Sequence, residues 1–193
     1  RLSYQTIVQE FTRCFYHPVF GLDYRNKYES GNFDTEFVAS DDFLTRHSSA
    51  SSIIVQGVKK GESPDMSTIW AQVGFPETCV AIPLWVRGGD NLPLLVQYDD
   101  MIKNSPLNSY ALRWKKEAYP IGRSDGYHYL KITELINKDK TGYVQRIEQM
   151  EKDVFFLTEE KLEMWRKELP NPFSISVFYD TLDRKVSDFY AEE

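Results

Sequence analysis

Cysteine and histidine are scarce in this chain, with 2 of the first and 3 of the second among 193 residues. Cys14, Cys79, His17, His47 and His128 do not fall at metal-ligand spacing, so no zinc site is expected. The two cysteines read instead as small buried apolar residues. No apolar run approaches the roughly 18 residues that a membrane span needs. Basic charge is not in excess either: 23 Lys and Arg stand against 29 Asp and Glu, and the two signs are interspersed. That balance argues against a nucleic-acid partner, whose phosphates reward basic patches. Gly57 to Gly61 encloses two lysines without the pattern of a phosphate-binding loop. No Gly-x-Ser-x-Gly elbow surrounds Ser48 or Ser49, so neither reads as a nucleophile. No repeat, low-complexity tract or linker divides the chain, and residues 1–193 are expected to form a single domain.

Large rings are abundant. The chain has 12 Phe, 12 Tyr and 4 Trp, and it is 41% hydrophobic, enough for a substantial core. Ser3 can cap a first helix on which Tyr4, Ile7, Val8, Phe11 and Phe15 recur at helical spacing, and Pro18 stops it. Residues 18 to 45 read as a long irregular connection. Three strands follow: 51 to 58, 66 to 74, and 78 to 86, the last apolar on both faces. Pro83 belongs at a bulge or on an unpaired edge of such a sheet. The simplest account is a three-strand antiparallel meander.

Helices dominate the rest. Ser105 and Pro106 open one that carries Tyr110, Ala111, Trp114 and Ala118. Residues 128 to 137 are ambiguous between strand and short helix. Val144, Ile147, Met150 (or Glu151) and Val154 mark another helix, and Thr158 can cap a further one bearing Leu162, Trp165 and Leu169. Asn171 and Pro172 open the last, whose Ile175, Phe178, Leu182, Val186 and Phe189 form an apolar stripe. A sheet meander followed by helices is an α+β layout.

The stretch from Arg46 to Trp85 holds the most specific pattern. It begins Arg46-x-Ser48-Ser49-Ala50 and runs into the apolar strand from Ser52 to Val58. It continues through Trp70-x-x-x-Gly74-Phe75-Pro76 to a second apolar strand ending Ile82-Pro83-Leu84-Trp85. This pattern resembles the C-terminal half of N-terminal-nucleophile amide hydrolases, especially the branch of penicillin acyltransferases and choloylglycine hydrolases. More weakly, the order of elements around Ala111, Leu112, Lys115, the loop from Arg123 to Gly126 and the terminal helix is also similar.

The resemblance implies a four-layer αββα sandwich, of which this chain supplies part of one sheet and the helical layer against it. Such a part is expected to expose large apolar surfaces unless its partner segment is bound. It also implies a cysteine-dependent hydrolase or acyltransferase of linear amide C–N bonds, acting on a small-molecule amide. Such enzymes attack with the side chain of their first mature residue, usually Cys, while its free amine acts as base. The chain begins with Arg1, so the nucleophile is expected in a missing N-terminal segment of the same protein. No metal or organic cofactor is implied. Relatives that carry signal peptides suggest export by analogy, and oligomerisation is left open.

Arg46 is the catalytic candidate, because its permanent charge can favour a thiolate and steady an oxyanion. Ser48, Ser49 and Trp70 are candidates for substrate binding, with Trp70 otherwise a packing residue. Strand alternation would turn His47 away from Arg46, so the histidines receive no role. Asp41, Asp42, Asp99 and Asp100 read as solvated loop residues. The competing expectation is a catalytically silent Ntn-like binding or assembly subunit, which would need no nucleophile.

Overall fold

The computed structural model describes residues 2–192. Ser3 caps the first helix as expected, its hydroxyl accepting from the Thr6 amide. The helix is short, however. Its first turn, α1 (Tyr4–Thr6), widens into π-type winding over Ile7–Phe11 and stops at Thr12. Phe15 therefore falls outside the helix, and His17 lies in a hairpin, β1 (Tyr16–His17) paired with β2 (Leu22–Asp23). The stretch read as irregular holds two further elements. One is α2 (Tyr24–Glu29), capped by the Asp23 carboxylate, and the other is β3 (Phe37–Ala39). Their shortness hides them from periodicity, since neither completes two turns or several alternations.

At the centre is the expected meander, β4 (Ser51–Gln56), β5 (Thr68–Val73) and β6 (Ile82–Trp85), in that order. Register runs from Ser51 opposite Val73 to Gln56 opposite Thr68, then from Thr68 opposite Trp85 to Ala71 opposite Ile82. Pro83 sits on β6, an outer strand of this sheet, where its missing N–H interrupts no ladder. The last strand is shorter than the sequence suggests, because residues 76–78 form a 3-10 turn.

The helical half follows. Ser105 caps α3 (Pro106–Ala118). The ambiguous stretch is both of its alternatives in succession, β7 (Tyr129–Lys131) and α4 (Ile132–Leu135). β7 pairs antiparallel with β3 in a small second sheet. The two helices expected around Thr158 are one, α5 (Tyr143–Trp165). No Gly or Pro interrupts it, and the Thr158 hydroxyl bonds back to the Val154 carbonyl instead of capping. Asn171 caps α6 (Pro172–Ala191). Mixed helices and small antiparallel sheets make this an α+β fold.

The two faces of the central sheet differ. Trp70 and Trp85 turn toward α5 and α6. Trp70 meets Phe155 edge-on at 5.1 Å, and Trp85 packs on Trp165 and Tyr179 at 5.2 and 5.8 Å. The opposite face is buried at Ala71 and Ile82, half-buried at Ile69, Val73 and Leu84, and open along β4, where Ile53 and Val55 are 67% and 66% exposed. β4 also ends the sheet, and among the described residues no strand pairs with its outer edge. Among those residues no helix is long and apolar enough to cross a membrane.

Candidate active site

The site lies at the end of the sheet where β4 begins and β5 ends. At Gly74 the chain leaves β5 with φ +146, and an added Cβ would stand 2.8 Å from the Ala111 methyl. Only glycine lets α3 approach this closely. The segment that follows, residues 75–81, cannot form a ladder, so its backbone groups need other partners. They come from distant side chains. Arg13, fully buried, donates from Nε to the Pro76 carbonyl and from Nη2 to the Cys79 carbonyl, both at 3.0 Å. Its other bonds go to both oxygens of Glu151, each at 2.7 Å. Glu151 Oε1 also accepts from the Ala81 amide at 2.9 Å. The Tyr190 hydroxyl donates to the Thr78 carbonyl and accepts from the Val80 amide. Gln72 supplies further donors to the Pro76 and Cys79 carbonyls. Burial of two charges is costly, and here each is satisfied by its opposite and by backbone dipoles.

Glu77 stands apart within this segment. It is wholly buried, and neither carboxyl oxygen has a hydrogen-bond partner. Burial pushes its carboxyl well above the usual carboxylate range, against the opposing pull of Arg13 and Lys115. Lys115, half-buried on α3, is pushed down by burial, with Glu77 acting the other way. Its ammonium lies 5.0 Å from the centre of the Phe75 ring and donates to the His47 carbonyl. Tyr119 completes the cluster. Its ring meets Phe75 at 5.9 Å and His47 at 4.9 Å, and its hydroxyl donates to Ser40 Oγ. His47 is pushed down, first by burial and then by Lys115.

Arg46, Ser48 and Ser49 come together here in one turn. The Ser49 amide donates to the Arg46 carbonyl at 2.8 Å, and the Arg46 amide donates to Ser49 Oγ at 3.2 Å. Arg46 and Ser48 are exposed and Ser49 is half-buried. Because the backbone turns instead of extending, strand alternation does not govern His47, which tucks under Tyr119 beside the Arg46 turn. Trp70 lies elsewhere. It is fully buried on the helix-facing side of β5, stacked on Tyr4 at 4.5 Å, and its indole N–H donates to Gln56.

The cysteines are unsuited to attack. Cys14 lies in the bend after the first helix and not within it, while Cys79 is buried beside Arg13 with its thiol pushed up by that burial. Two expected loop carboxylates have partners, Asp41 with His128 and Asp42 with His17. Among the described residues no cluster of three or more His, Cys, Asp or Glu is arranged to hold a metal ion. A cavity of about 630 Å³ lies well away, lined by α5 residues such as Arg146 and Glu148 and by Glu29 and Phe189. Its carboxylates Glu29, Glu148 and Asp153 are ion-paired with Lys140, Arg25 and Lys185.

Sequence reasoning passed over Glu77, Lys115 and Arg13. Glu77 had a usable signal, being the sole charge in the run from Val73 to Val86. Arg13 had none, since its partner is at position 151. The chain matches no protein-family model, no curated protein and no solved structure.

Proposed function

We propose that this chain is the C-terminal part of a cysteine-dependent hydrolase or acyltransferase of linear amide C–N bonds, built on a four-layer αββα sandwich. A preceding segment of the same protein supplies the nucleophile and the second sheet. The observation that carries this reading is the apolar face of the central sheet left open along β4, beside an unpaired strand edge. Covering Ile53 and Val55 gains about 1.5–3 kcal/mol for each side chain. Ser51 to Gln56 contains neither proline nor lysine, the residues that commonly protect a free edge. A second sheet laid on this face meets both needs. It also brings its own residues to the end of the sheet where Arg46 is exposed.

In the complete protein the terminal amine takes the proton of the Cys thiol, and the thiolate attacks the amide carbonyl. The C–N bond then breaks, the amine leaves with that proton, and a thioester remains. Water or a second amine takes the acyl group and restores the thiol. Arg46 favours the thiolate and stabilises the oxyanion. Ser49 fixes the turn that carries Arg46, and Ser48 and Ser49 offer hydroxyls to the substrate.

The test is a gene product that includes the preceding segment, incubated with a panel of N-acyl amides. Amine release and an acyl adduct on a chain-initial Cys are expected. Arg46→Ala should lower turnover by about 100- to 1000-fold while leaving the thermal midpoint in place, since Arg46 is exposed. A folded protein that forms no adduct and releases no amine would instead be a silent Ntn-like binding subunit.

A further inference from the structure

Glu77 is a buried carboxyl with two unpartnered oxygens, under the influence of a lysine that is bonded elsewhere. An unsatisfied buried polar group is costly, so its retention calls for an account. Two cations act on it, Arg13 and Lys115. Arg13 is committed to Glu151 and to the Pro76 and Cys79 carbonyls, and it has no freedom to turn. Lys115 is half-buried on a flexible stem and bonded to a single carbonyl, that of His47. His47 lies inside the Arg46–Ser49 turn.

We propose that Lys115 is a positioning residue for the Arg46 turn, and that the protonation state of Glu77 decides whether its ammonium stays on the His47 carbonyl or swings inward. With the proton on Glu77, Lys115 has no counter-ion among the described residues and clamps the turn. When the proton leaves to solvent, the carboxylate competes for the ammonium and the turn is released. The other titratable groups around this end are Arg13 after the first helix, Tyr119 just after α3, Glu151 on α5, Tyr190 on α6, Cys79 in the connector, His47 in the turn with Tyr127 against its ring, and Asp41 with His128 beyond Tyr119. Arg13 and Glu151 neutralise each other, while burial pushes Tyr119, Tyr190 and Cys79 upward and keeps them uncharged. Glu77 and His47 are the groups acting on or bonded to Lys115 that can change charge. The clamp itself stands on geometry, and its meaning for catalysis rests on the amide-hydrolase reading of Arg46.

The test uses the 193-residue chain and amide hydrogen exchange at Ser49 and Arg46, corrected for intrinsic rates, from about pH 5 to about pH 9. Protection of the turn should fall by about tenfold or more across a single step. Glu77→Gln should remove the step and hold the turn protected throughout. Lys115→Met should leave it unprotected at every pH, and Lys115→Arg should restore protection. A step that survives Glu77→Gln belongs to His47 and overturns the proposal, as does protection unaffected by Lys115→Met or the absence of any step. These outcomes are independent of amide turnover, so failure of the hydrolase reading would leave them unchanged.

Discussion

The two faces of the β4–β5–β6 sheet come from the same strands, yet one is sealed while the other, buried at Ala71 and Ile82, is open along β4. Trp70 and Trp85 are sealed under α5 and α6, while Ile53 and Val55 are about two thirds exposed. Alternation assigns side chains to a face with good fidelity. Whether that face is covered depends on what else folds against it, and no pattern within the strand reports this.

The sharpest way to break the contrast is to delete one ring on the covered side. Trp85→Ala should cost about 3–5 kcal/mol in urea unfolding, as a cavity opens between α5 and α6. A loss below about 1 kcal/mol would mean that the helical layer is not the main support of the sheet. Glu77→Gln probes the end where the two faces meet. A carboxyl held above its ordinary value binds its proton more tightly folded than unfolded. The stability it contributes is therefore full below the unfolded value and lost as pH rises through the folded one. The variant's unfolding midpoint should thus gain on the parent as pH rises from about 4 to about 8, by about 1–3 kcal/mol at the upper end. An unchanged difference would show that Glu77 titrates normally. On the uncovered side, Ile53→Thr and Val55→Thr should change stability by no more than about 0.5 kcal/mol in the 193-residue chain. A loss comparable to that of Trp85→Ala would mean that this face is already packed.

The meander, helices α3 and α6, and the caps Ser3, Ser105 and Asn171 were legible in the sequence because each rests on local chemistry. Ser105, Asn171 and Ser3 cap through their own side chains, and β-branched runs mark β4 and β5. Thr158 misled for a related reason, since its hydroxyl can cap a helix or bond back within one, and α5 takes the second course. The short elements β1 to β3 were missed because two or three residues carry no periodicity. At the site, Arg46, Ser48 and Ser49 were found as neighbours in sequence, and the structure brings them together in one turn. Lys115 and Tyr119 arrive there only by the docking of α3 against residues 75–78, a tertiary event. His47 was read by strand alternation, whereas the structure sets it in a turn, half-buried against Tyr119.

The connector after β5 has one more consequence, for the order in which the molecule assembles. Its carbonyls at positions 76, 78 and 79 find partners at residues 13, 72 and 190, and Arg13 itself is neutralised by residue 151. During synthesis the Arg13 charge has its partner only once α5 has left the ribosome, and the Thr78 carbonyl only once α6 has followed. The closing helix thus acts as a latch on the middle of the chain, and a nascent protein stopped short of Tyr190 would hold its central strands without locking them.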